Sequence, residues 1–296
     1  MTHSESRIPH YGGQALIEGV LMRGRNYAVA AMRAPDGSIQ VEQEKLGGIY
    51  KTGLAKIPFI RGLVILWDSL YLGMKFLSLS ANLQVDDQEE KIEGSALVLT
   101  LLVSFSLAIG FFFVLPMVIV DLLNRLLQLN NGWLPVLEGF LRLAFFLAYI
   151  WLIGFSKDIS RVFAYHGAEH KTINTYEDKR ELTVSSVSLF PLAHPRCGTS
   201  FLLTLVFVSI LVFSVLGPKP LLVKIATRVL FVPLLAMLSY EIIRWMGDHL
   251  DNPLIRFLTQ PNLLLQKLTT REPSPEMIEV ALTSFLTLLK LEESSS

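Results

Sequence analysis

Ala96–Val120, ALVLTLLVSFSLAIGFFFVLPMVIV, is uncharged over its whole length. A helix rises about 1.5 Å per residue, so such a run is ample to cross a hydrocarbon core about 30 Å thick. Pro116 inside it predicts a kink, which helices in a bilayer tolerate. A chain built around this run is mainly α. Three more apolar segments repeat the pattern. Trp133–Phe155 carries Glu138 and Arg142 at i,i+4, a pair expected near the interface. Cys197 opens a third segment, uncharged from Gly198 to Gly217. The fourth, Leu221–Trp245, has Lys224 and Arg228 at its start, Glu241 and Arg244 at its end, and Pro233 interrupting it.

The whole composition agrees with that reading. The chain has 296 residues, of which 51% are hydrophobic and 18% charged, and its mean hydropathy is +0.47. This is the profile of a polytopic helical membrane protein with about four transmembrane helices, whose first partner is the lipid bilayer. A net charge of zero excludes a nucleic-acid binder that works by bulk charge. One cysteine makes no internal disulfide. The opening residues Met1–Tyr11 show no apolar core of a cleaved signal.

Outside these runs the chain divides into 1–53, a soluble β-containing segment; 54–94, an amphipathic helix and linker; 95–247, the transmembrane part with a polar connector at 156–197; and 248–296, a helical tail. In the first, Tyr11–Gly24 is punctuated by glycines that suit tight turns and close backbone approach. Ala28–Met32 and Ser38–Gln43 flank the turn signal Pro35-Asp36-Gly37. Glu18 and Arg23 are its polar residues to watch. In the second, Arg61, Asp68 and Lys75 fall at sevenfold spacing on one helical stripe, which predicts an interfacial helix with its charges toward water. Residues 84–93 read as a charged linker. In the last, Ser274-Pro275-Glu276 has the form of a helix start, and an amphipathic helix follows to about Leu291.

Ten Lys/Arg precede the first span and six lie in the 156–197 connector. The positive-inside rule therefore places both termini and that connector in the cytosol, with the chain in the plasma (inner) membrane or an organellar equivalent.

The connector carries the densest chemistry. In His166-Gly167-Ala168-Glu169-His170 the two histidines, four apart, share a helix face and aim at one point. Written H-x-x-E-H, this is the inverted zinc-peptidase pattern, with two histidine ligands and Glu169 as general base. A third ligand has to come from elsewhere, because a catalytic zinc commonly takes three protein groups and an open position. The candidates are His194, Cys197, Glu241 and Glu18. Glu177 lies on the same face but about 10 Å beyond His170 along a straight helix, too far to join that metal. Arg196 beside Cys197, together with the helix start there, predicts a lowered thiol pKa. The expected cofactor is a divalent metal, zinc among the identities, and the expected chemistry is metal-assisted hydrolysis. The alternative is a non-catalytic scaffold, transporter or assembly factor with a structural metal or cofactor site.

Four blocks, in order, also resemble a known family. They are Tyr11-Gly12-Gly13-Gln14-Ala15 with Ile17-Glu18-Gly19-Val20 and Met22-Arg23-Gly24; His166-Gly167-Ala168-Glu169-His170-Lys171; Arg196-Cys197-Gly198-Thr199-Ser200-Phe201; and Leu265-Gln266-Lys267-Leu268-Thr269-Thr270-Arg271-Glu272-Pro273. Together they resemble the bacterial YqhQ-like membrane proteins over nearly the whole chain. Members are usually described as predicted metal-dependent enzymes of unknown function, so the resemblance implies the same direction here. Pro261-Asn262 departs from the Pro-Gly expected in that tail, which bears on a turn.

Overall fold

The computed structural model describes residues 11–47, 53, 57–85, 94–128, 132–216 and 220–295. Positions 1–10 and the linker positions 86–93 lie outside the described residues.

The glycine-punctuated opening folds into strands. β1 (Gly12–Leu16) and β2 (Gly19–Arg23) form a hairpin whose two-residue turn places Glu18 at a φ of 51°. The next hairpin joins β3 (Tyr27–Arg33) to β4 (Ile39–Lys45) through the expected Pro35-Asp36-Gly37 turn, with Arg33 opposite Ile39. The result is a four-stranded antiparallel meander in the order β1-β2-β3-β4.

Helices cover both faces of this sheet, so β2 and β3 read as continuous apolar runs with no alternation. Val20, Met22, Val29 and Ala31 pack against α5 (Lys157–Glu177) and α11 (Pro275–Glu293), including Ala164, Ile278 and Phe285. Leu16, Leu21, Ala28, Ala30 and Met32 pack against Leu72 and Phe76 of α1 (Ile60–Leu83). Segments remote in sequence, from the start, the middle connector and the end of the chain, thus form one core. Glu292 at the end of α11 accepts from the backbone N–H groups of Asn26 and Tyr27, at 2.6 and 3.0 Å, and so caps the β2–β3 turn.

The charged stripe of α1 turns toward protein, which corrects the expectation of charges in water. Arg61 pairs with Glu241, Asp68 with Arg23 and Lys75 with Glu44. The opposite face carries Leu63, Trp67, Leu70 and Tyr71, all exposed. Ion pairs to the sheet and to Glu241 decide the orientation, because each charge finds a fixed partner while the apolar side stays exposed among the described residues.

Among the described residues, four helices are long and apolar enough to cross a membrane: Ile60–Leu83, Val98–Leu127, Leu134–Ile153 and Thr199–Leu216. The first is α1, expected to lie flat. The second runs through α2 (Gly94–Ile109), a π turn at Gly110–Val114, and α3 (Leu115–Leu127). Pro116 accounts for the irregularity. It has no N–H to give to the carbonyl of Phe112 four residues earlier, and that carbonyl instead accepts from Arg142 Nε at 3.1 Å.

The remaining helices are α4 (Leu134–Ile153), the short α6 (Val184–Ser188), α7 (Thr199–Leu216), α8 (Leu221–Leu230), α9 (Val232–Asp248) and α10 (Pro253–Thr269). The fourth apolar segment is a bent pair: α8 and α9 meet at 43°, with Pro233 in the first turn of α9. The bend lets α8 deliver Arg228 to Glu138, at 2.8 and 2.9 Å, while Arg142 also binds Glu138 and reaches Ser209 Oγ on α7 at 2.7 Å. The Glu138–Arg142 pair therefore sits buried between helices, with Arg142 only 1% exposed. Pro261-Asn262 lies inside α10 and makes no turn.

Candidate metal centre

The helix α5 begins after Phe155-Ser156 and keeps the i,i+4 relation of His166 and His170, whose ring centroids are 4.3 Å apart. Each Nδ1 is taken up by a backbone carbonyl. His166 Nδ1 donates to Thr269 O at 2.9 Å and His170 Nδ1 to Leu192 O at 2.5 Å. Such bonds fix the tautomer and leave both Nε2 lone pairs free. Burial pushes the His170 imidazole below its ordinary pKa, which favours the neutral, ligating form.

The two Nε2 atoms converge on Cys197. His166 Nε2 lies 3.2 Å from Cys197 Sγ, and the donor atoms of His166, His170 and Cys197 all lie within 4.8 Å of one another. A tetrahedral metal with bonds of about 2.0 Å to nitrogen and 2.3 Å to sulfur spaces its ligands by about 3.5 Å, so the three donors fit one ion. His170 Nε2 is buried and has no hydrogen-bond partner among the described residues, a costly state for a polar atom that a bound cation would relieve. Thr199, opening α7, places its N–H and hydroxyl 3.4 and 3.1 Å from the sulfur.

The supporting shell comes from the loop after α5 and from the end of α10. Asn174 Nδ2 donates to Pro191 O and Ala193 O, and Lys171 Nζ binds Ser188 O and Glu272. Gln266 grips His194 through its backbone, accepting from N and donating to O at 2.9 Å each. The 270–272 segment crosses α5 where Gly167 stands: a Cβ there would lie 2.2 Å from Arg271 O. Gln266, Thr269 and Leu192 were absent from the candidates read in the sequence. The signal for the first two was the 265–273 block, quoted for resemblance alone.

The other candidates are placed as follows. His194 is buried beside the group, its ring 5.7 Å from that of His170, and its Nε2 lies 3.5 Å from Glu177 Oε2. Arg196 pairs with Glu177. Glu169 is buried, with its carboxylate against β1: a Cβ on Gly13 would come within 2.8 Å of Glu169 Cγ. Burial pushes the Glu169 pKa up to about 7, against the opposing pull of His166 and of the Gly13 backbone. Glu18 accepts two 2.5 Å bonds from Arg161 and one from the Tyr165 hydroxyl, tying the β1–β2 turn to α5. Glu241 accepts from Arg61 and from the Phe59 N–H, joining α9 to α1. Arg23 pairs with Asp68. Neither Glu18 nor Glu241 is brought to the histidine pair.

A family model described as a protein of unknown function (DUF1385) matches residues 57–291. The chain is also 34% identical, over 97% of its length and 94% of the relative's, to the uncharacterized protein YqhQ of Bacillus subtilis (strain 168). No solved structure matches.

Proposed function

The chain belongs to the DUF1385 family of proteins of unknown function, and on that premise we propose that it is a polytopic membrane protein holding a divalent metal at His166, His170 and Cys197. One observation carries the reading. Two imidazoles with their Nδ1 atoms committed to carbonyls turn their Nε2 atoms to a single thiol, and the His170 Nε2 is buried with no hydrogen-bond partner among the described residues. Three protein donors leave a fourth position open, the arrangement of a catalytic site. A divalent ion there would supply Lewis acidity for hydrolysis. The chain's own part is to hold the two imidazoles through the Thr269 and Leu192 carbonyls, and to offer Glu169, whose buried carboxylate lies against Gly13 of β1, as general base. The distribution of basic residues supports a cytosolic site in the plasma (inner) membrane or its organellar equivalent.

A second reading, a closed structural site, takes His194 as the fourth ligand: its ring stands 5.7 Å from that of His170, and its Nε2 would turn to the metal from Glu177 Oε2, 3.5 Å away.

Elemental mass spectrometry on detergent-purified protein tests both. Stoichiometric metal in wild type, lost in a folded His166→Ala/His170→Ala variant, is the expected result. Negligible metal in both sinks the proposal. Retention by His194→Ala selects the open three-donor site, and loss selects the closed one.

A further inference from the structure

The helix α10 divides into three faces at 100° per residue. Ile255, Thr259, Asn262, Leu265, Gln266 and Thr269 are buried against the protein. Leu254, Phe257, Leu258, Pro261 and Leu264 form an exposed apolar arc beside them, with Phe257 72% exposed. Arg256, Gln260 and Lys267 make an exposed polar strip on the far side, whose charges are both positive. A helix flanked by water alone has no reason to carry that apolar arc, whereas one lying in the headgroup layer needs both surfaces.

The surrounding helices fix its depth. Trp133, just before α4, and Trp151, in its last turn, are both exposed and stand 18 residues, about 27 Å, apart, matching the two aromatic belts of a bilayer about 30 Å thick. The C-terminal turn of α10 lies at the Trp151 end: Leu265 and Leu268 pack with Ile150, and Arg271 lies against Gly154. Its N-terminal end follows α9 after residues 249–252, and the last turn of α9 points toward Arg196, whose Cγ would be 3.9 Å from a Cβ on Gly247. The apolar arc and the polar strip both run along most of the length of α10, the pattern of a helix lying along the surface.

We propose that α10 is seated in the headgroup layer of the bilayer, its Leu254–Phe257–Leu264 arc in the acyl boundary and Arg256 and Lys267 toward anionic headgroups. This rests on the membrane reading above and is independent of the metal. Because Gln266 and Thr269 of the same helix hold His194 and His166, that seat sets the candidate centre at headgroup depth.

Nitroxide scanning in proteoliposomes containing anionic lipid tests it. Single variants Arg256→Cys, Phe257→Cys, Gln260→Cys, Pro261→Cys and Leu264→Cys are compared with Leu211→Cys on the exposed face of α7, and the chain carrying Cys197 alone supplies the background. Leu254→Cys replaces any variant on the apolar arc that fails to reconstitute. The expected ratio of oxygen to nickel-chelate collision is several-fold higher at 257, 261 and 264 than at 256 and 260. Nickel-rich α10 positions beside an oxygen-rich Leu211→Cys overturn this inference and leave the membrane reading standing. A nickel-rich Leu211→Cys overturns both. Low access of both reagents along the apolar arc identifies a protein contact and also overturns it.

Discussion

At the scale of single residues, the candidate centre depends on groups that carry no metal chemistry. Gly167 sits where the backbone of Arg271 passes over α5, and no side chain fits in that gap. Overpacking of this kind costs about 1–3 kcal/mol. Gly167→Ala is therefore expected to lower the thermal midpoint and to move the Thr269 carbonyl off His166 Nδ1. The same variant should show weaker metal retention on dialysis than a matched Gly12→Ala control, where a Cβ meets nothing within 4 Å. Equal retention in the two would disconnect the 270–272 crossing from the donors. The histidine spacing alone was enough to place two imidazoles together, since four residues are nearly one helical turn. Choosing Cys197 over His194 and Glu241 was beyond the sequence, because it depends on where the loop from Ser188 to Ala193 is tied by Lys171 and Asn174.

Elements show how one covalent fact propagates. Pro116 removes an N–H, the Phe112 carbonyl loses its helical donor, and Arg142 fills the vacancy while sharing Glu138 with Arg228. The guanidiniums also stack on rings, Arg228 lying 3.8 Å and Arg142 5.6 Å from the Phe213 centroid. Removing the shared carboxylate strands two buried cations, a change that typically costs about 3–5 kcal/mol. Glu138→Ala should therefore unfold in detergent at a markedly lower temperature, whereas exposed Glu181→Ala should leave the midpoint unchanged. If the two midpoints coincide, the network does not hold α8 to the bundle. An irregularity near Pro116 and a break at Pro233 were both legible. The partner of the orphaned carbonyl was not, because Arg142 lies 30 residues away on another helix.

For the molecule as a whole, the sheet is the hub that joins three distant stretches of chain. Phe285 of α11 is fully buried and meets Tyr11 and Tyr176 edge-on, at 5.2 and 5.1 Å. Phe285→Ala is expected to cost about 3–5 kcal/mol and to raise hydrogen exchange together in β2, β3 and α5, since all three lose the same core. Exchange that rises in α11 alone would mean that the tail folds apart from the sheet. The apolar runs, their lengths, the proline breaks, the β3–β4 turn and the pairing of His166 with His170 are all legible in the order of residues. These depend on local periodicity and on the absence of a donor or a charge, properties written in adjacent residues. Only the tertiary structure decided that the charges of α1 face the sheet, that α11 completes its core, that Cys197 joins the histidines while Glu241 is held by Arg61, and that 253–269 is a three-faced helix. Those outcomes follow from which distant partner satisfies each buried charge, carbonyl and apolar face, and that competition is settled only when the elements pack.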